Sequence, residues 1–204
     1  MTRLVTRDVV ALLGGVLEVT RAVAQQTDAR LERLDETTRP AVIAIVDSVR
    51  AAGLPVNPLV ERALEGATKG APPDVIVAAV RRLAGDLGRA RDALGPGATA
   101  IELNAGAEAL RAGAGPDVLA RLRRARGRQS VTMALAVFTD LVARGVPVDT
   151  AATAVLALAA TVRDEDLVEF RRAVERDIAI GAPPAAAASI RLNAAAREAR
   201  PGRP

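Results

Sequence analysis

From Pro40 onward apolar residues fall at Val42, Ile43, Val46 and Val49, three or four apart, and this spacing predicts a helix with one buried face. The β-branched run over residues 41–46 would also suit a strand. No second segment offers that strand a partner, so a helix is expected. Leu31 and Leu34, three apart in the polar run 28–36, are helix-compatible. Phe138, between Val137 and Leu141, and Phe170, between Leu167 and Val174, lie in consecutive helical stretches and are expected to anchor a local core.

Between such stretches one turn phrase returns. It reads Gly53-Leu54-Pro55-Val56-Asn57, Gly70-Ala71-Pro72-Pro73-Asp74, Gly113-Ala114-Gly115-Pro116-Asp117 and Gly145-Val146-Pro147-Val148-Asp149, then weakens to Gly181-Ala182-Pro183-Pro184-Ala185. The glycine is expected to end one helix in the left-handed conformation, and Pro to open the next. Asn57, Asp74, Asp117 and Asp149 are expected to cap the following helices through their side chains, and Thr38 to cap the helix that Pro40 enters. Several turns are about 18 residues apart, so two helices make a unit of about 36, the length of helical-hairpin repeats. The gap from Gly70 to Gly95 predicts one longer helix containing Gly85 and Gly88, and that from Gly113 to Gly127 a short one. The expected fold is all-α with nine or ten helices: an array or irregular bundle of short antiparallel helices joined by Gly-x-Pro turns, solenoid-like.

The amino terminus reads in two ways. Arg3 and Arg7, the apolar run 9–17 and the small-x-small triplet Ala22-Val23-Ala24 match an export signal cleaved after Ala24. Alternatively, Val9, Leu12, Leu13, Val16, Val19 and Val23 share one face of a first helix, with Asp8 at its start. Residues 25–200 are expected to form a single helical domain and 201–204 a disordered tail. The location is periplasmic or secreted if the segment is a signal, and cytoplasmic otherwise.

Composition narrows the chemistry. Half of the 204 residues are apolar, chiefly Ala, Val and Leu, and 25% are charged, which fits neither a disordered chain nor a membrane bundle. Lys69 is the single lysine, Arg supplies the rest of the positive charge, and the net charge is only +4. There is no His, Cys, Tyr or Trp, which excludes thiol nucleophiles, His-based triads and Cys/His metal sites. Gly66-Ala67-Thr68-Lys69-Gly70 lacks the spacing of a phosphate loop, and Lys69 suits a helix's last turn. Asp164-Glu165-Asp166 with Glu169 is the densest carboxylate cluster. It lacks calcium-loop glycine spacing and reads as the acidic start of a helix whose Arg171, Arg172, Glu175 and Arg176 complete intrahelical pairs. No catalytic, cofactor-binding or metal-binding residue is assigned.

The one sharp basic patch is Arg121, Arg123, Arg124, Arg126 and Arg128, a candidate contact for an anionic partner. On a helix these positions spread over more than one face, and a basic helix end beside the Gly127 stop, favoured by the dipole, accounts for them without a partner. With no Trp or Tyr and both Phe outside the patch, no aromatic platform for base stacking is expected there.

The chain resembles short-helix α-solenoid repeats. Its signal-like start and Pro58-Leu59-Val60-Glu61-Arg62-Ala63-Leu64-Glu65-Gly66 leading into Lys69-Gly70 also resemble Ala/Arg-rich exported proteins of GC-rich bacteria. The resemblance implies a fold and an envelope location, without an activity. The expected function is a non-enzymatic helical scaffold that binds a protein partner along the groove between Gly113 and Gly181, with a stripe of exposed Val and Leu on one side. The alternative is an electrostatic binder of nucleic acid, anionic lipid or another anionic polymer through Arg121–Arg128. A third is an enzyme built from carboxylates and arginine, which would need a pocket holding a buried carboxylate beside Arg. No cofactor or metal is expected.

Overall fold

The computed structural model describes residues 28–198, so the expectations for residues 1–24 and 201–204 lie outside the described residues. A short 3-10 turn, Ala29–Arg33, leads into nine α-helices: α1 (Thr38–Ala51), α2 (Asn57–Thr68), α3 (Pro73–Leu94), α4 (Ala100–Arg111), α5 (Pro116–Arg126), α6 (Thr132–Ala143), α7 (Val148–Ala159), α8 (Asp164–Ala179) and α9 (Pro184–Glu198). The described residues contain no strand. Residues 41–46 are helical, and Val42, Val46 and Val49 are buried. The long helix is α3, 22 residues with Gly85 and Gly88 inside it, and α5 is short at 11.

Every substantial packing joins helices one or two places apart in the chain. Odd-numbered helices stack in one row, α1 on α3 on α5 on α7 on α9. Helices α4, α6 and α8 stack in the other, and α2 rests on α1, α3 and the 3-10 turn. The result is a two-layer array whose first and last helices share no substantial packing. Its core runs along the seam, from Leu31 and Val42 through Leu87 and Leu119 to Phe138 and Leu167, all almost fully buried. Phe138 and Phe170 are both buried, as expected of core anchors, but not in consecutive helices: they lie on α6 and α8, which pack together although α7 intervenes in the chain.

The turn phrase has one geometry throughout. Gly53, Gly70, Gly113, Gly145 and Gly181 all have positive φ, from 67° to 106°. In each copy the residue after the glycine donates its N–H back five residues into the helix: Leu54 to Val49 O at 3.0 Å, Ala71 to Gly66 O at 3.0 Å, Ala114 to Ala109 O at 2.9 Å, Val146 to Leu141 O at 3.0 Å and Ala182 to Asp177 O at 2.9 Å. These are Schellman closures, which favour an apolar residue directly after the glycine. From Gly70 onward the phrase marks every second junction, between α2 and α3, α4 and α5, α6 and α7, and α8 and α9. Successive copies lie against each other: a Cβ placed on Gly113 would stand 3.1 Å from Val148, and one on Gly145 3.6 Å from Pro184. The repeating unit is therefore a helical hairpin that starts at the phrase.

The expected caps are corrected by the structure. Asp74, Asp117 and Asp149 sit at the second helical position, and none caps its helix through its side chain. The extended break falls earlier, at Pro72, Gly115 and Pro147, with ψ of 149°, 152° and 141°. Proline fixes this register: Pro73 and Pro116 push the residue before them out of the α region and themselves open the helix. The carboxylates still complement the helix dipole. Asn57 is already helical, and its amide bridges Arg30 and Glu61, accepting from the first at 2.6 Å and donating to the second at 2.7 Å. Thr38 is the first residue of α1, and Asp35 supplies the cap, accepting from the N–H groups of Thr37 and Thr38 and from the Thr38 hydroxyl at 2.6 Å. Those bonds, the Thr38 hydroxyl first, hold the Asp35 carboxyl below its usual value.

Candidate interaction surface on helix α5

Helix α5 packs on α3 and α7 and buries Val118, Leu119 and Leu122. At 100° per residue, Asp117, Arg121 and Arg124 fall within about 60° of one another on the side opposite that buried face. Arg121 and Arg124 are exposed, as is Arg128 just beyond the Gly127 turn, and none of the three has a carboxylate partner among the described residues.

Arg123 and Arg126 point the other way. Arg123 donates to Glu102 Oε1 at 2.5 Å and to the carbonyls of Gly127 and Gln129 at 3.3 and 3.1 Å. Arg126, 6% exposed, donates to Asp164 Oδ1 at 2.7 Å and to Gln129 Oε1 at 3.3 Å. The Nε–H of each is buried without a partner among the described residues. The five-arginine patch is thus divided by the helix into three outward cations and two structural ones.

Glu102 is the centre of the inner set and was not singled out in the sequence. Only 4% exposed, it accepts through Oε2 from the N–H of Thr99 at 3.0 Å and its hydroxyl at 3.3 Å, and through Oε1 from Arg123 and from the Val131 N–H at 3.1 Å. Burial alone would raise its pKa. The Thr99 N–H, the Arg123 guanidinium and the Val131 N–H outweigh burial and lower it to about 2. The Thr-x-x-Glu pattern of a capping box was the available signal: Thr99 caps α4, and Glu102 answers to the Thr99 N–H. Glu102 is the buried carboxylate beside Arg that a carboxylate enzyme would need. Both its oxygens are occupied, however, and a group of pKa about 2 is a weak base near neutral pH.

The acidic cluster at the start of α8 is divided as well. Asp164 holds Arg126, Asp166 accepts from the Arg163 N–H at 3.0 Å, and Glu169 pairs with Arg172 at 3.1 Å. No group of three possible metal-ligating side chains occurs among the described residues. Lys69 follows the last residue of α2 and pairs with Glu65 at 2.6 Å.

The stripe of exposed Val and Leu along one side of the array that would support a scaffold is absent among the described residues, the groove between Gly113 and Gly181 included. Leu and Val there are buried or half-buried, and the large apolar side chains left exposed are Val75, Ile101, Ile180 and Ile190. An Ala-rich array has few large side chains, and the seam between its two layers takes them. No family model matches the chain, and neither do curated proteins or solved structures.

Proposed function

We propose that the protein is a non-enzymatic helical scaffold that holds an acidic protein partner on the outer face of α5. The observation that carries this reading is the separation of two α5 arginines paired inward with Glu102 and Asp164 from three exposed ones, Arg121 and Arg124 on α5 and Arg128 just beyond it, without carboxylate partners among the described residues. An outward guanidinium forms bidentate bonds with carboxylates and keeps its charge at any physiological pH. Asp117 shares the stripe, and a mixed-sign stripe suits a protein surface better than a uniform polyanion. The absence of Trp and Tyr and a net charge of only +4 point the same way.

The test compares the intact protein with the R121E/R124E/R128E triple variant. Probes are a Glu/Asp-rich peptide, duplex DNA and phosphatidylserine vesicles, each titrated with salt. The reading expects salt-sensitive peptide binding that the triple variant loses while its melting temperature is kept. Tighter binding of DNA or vesicles than of peptide would replace the protein partner by an anionic polymer or membrane. Binding that survives the triple variant would remove α5 as the site.

A further inference from the structure

We propose that α3 is a hinge: it bends at Gly85–Gly88, and the unit formed by the 3-10 turn, α1 and α2 swings on it against α4–α9. Among the described residues, the only substantial packing of that unit outside itself is on α3, so α3 is its main attachment to the rest of the array. The even-numbered row is interrupted at the same place. Helix α4 stacks on α6 and α6 on α8, but α2 and α4 share no substantial packing. Their facing charges are satisfied inside each helix: Arg62 pairs with Glu65 at 3.3 Å on α2, and Arg111 pairs with Glu108 on α4. No ion pair joins the two helices among the described residues. Burial first, and the Arg62 guanidinium second, lower the pKa of Arg111, so like charges meet across this seam.

The joint itself is built into α3. Gly85 and Gly88 stand three apart in its middle, and nothing lies within 4 Å of a Cβ added to either. Packing therefore does not demand glycine there, although glycine weakens a helix interior relative to alanine. At 100° per residue Gly85 lies opposite the buried line of Val80, Leu83 and Leu87. The helix is thus free to curve on its solvent side at a glycine pair, a recurrent cause of kinks. One bond spans the joint. Arg91, beyond the glycines, donates from Nη2 to the Gly53 carbonyl in the α1–α2 turn at 2.9 Å, and its Nε–H is buried without a partner among the described residues. No other side-chain hydrogen bond among them links residues 28–68 to residues after Gly88, so Arg91 is the latch of the closed arrangement.

The chain has no cysteine, so paired spin labels test this directly. One pair, Ala44→Cys on α1 and Thr153→Cys on α7, spans the joint. A control pair, Ala136→Cys on α6 and Thr153→Cys, does not, and all three sites are exposed. Dipolar distance measurements on the spanning pair should show a main distance and a minor second one. Arg91→Met keeps the aliphatic stem and removes the latch, so it should enlarge the second distance. Gly85→Ala combined with Gly88→Ala should abolish the second distance, both in the parent and beside Arg91→Met. Helical content and melting should be retained, because alanine favours the helix. The control pair should keep one distance throughout. One distance for the spanning pair in both the parent and Arg91→Met overturns the hinge. So does a second distance that survives both alanines, or a control pair that broadens equally.

Discussion

Arg126, buried on α5, donates to Asp164 Oδ1 at 2.7 Å, and this bond ties the fifth helix to the first residue of the eighth across 38 positions of sequence. The pair is unequal, because Arg126 is enclosed while Asp164 keeps a half-open side chain. Arg126→Ala should therefore destabilise the fold by about 1–3 kcal/mol, mainly through the hollow left where the enclosed arginine packs, since the half-open Asp164 is taken up by water. Arg124→Ala, two positions away and outward, should change stability by less than about 0.5 kcal/mol. Urea unfolding of the two variants checks the contrast, and equal effects would reject the inward/outward division of the patch.

The Glu102 joint sets an acid limit. Its carboxyl is lowered from an ordinary 4.5 to about 2 in the folded protein, so its contribution is present above about 4.5 and is lost as pH falls through the folded value. Stability should fall between about pH 4.5 and pH 2. Glu102→Gln should remove on the order of 3 kcal/mol near neutrality and flatten this acid limb. Denaturant midpoints of both proteins over that pH range measure it.

Two helix-interior glycines should respond with opposite signs. A Cβ on Gly106 would stand 3.0 Å from Ala90 and 3.2 Å from both Leu94 and Leu119, where α4 lies closest on α3. Gly106→Ala is expected to cost about 1–3 kcal/mol through overpacking. Gly85, exposed inside α3, has nothing within 4 Å of its added Cβ. Gly85→Ala should stabilise by about 0.5–1 kcal/mol through helix propensity. Thermal melts of the pair give the signs.

Capping strength should follow the observed bonds rather than the turn phrase. Thr99→Ala removes a capping-box acceptor and should cost about 1 kcal/mol. Asp117→Asn keeps the shape but removes a charge that acts on the helix dipole and on the neighbouring Arg121 without capping the helix, so a loss of about 0.3–1 kcal/mol, shrinking with added salt, is expected. A salt-independent loss as large as that of Thr99→Ala would restore Asp117 as a cap.

The sequence by itself determined the helices, their order and their stops. Gly and Pro act locally: a left-handed residue ends a helix and a fixed φ opens one, whatever lies nearby. That is why Gly53, Gly70, Gly113, Gly145 and Gly181 could be read as stops, and why the long α3 and the short α5 followed from spacing. The register of the helix starts was missed where two local rules compete, since proline moved the break ahead of Asp74 and Asp117.

Tertiary structure alone decided which arginines of one short helix face solvent. Arg121, Arg123, Arg124 and Arg126 are chemically identical along the chain. Their roles depend on where Glu102 of α4 and Asp164 of α8 come to rest beside α5. Those partners stand 21 and 38 residues away. Local periodicity can rank the faces of a helix by hydrophobicity, but an inward arginine looks polar to such a ranking. Its place is set by a buried opposite charge that only packing brings within hydrogen-bond distance, because a guanidinium leaves water only where such a charge awaits it.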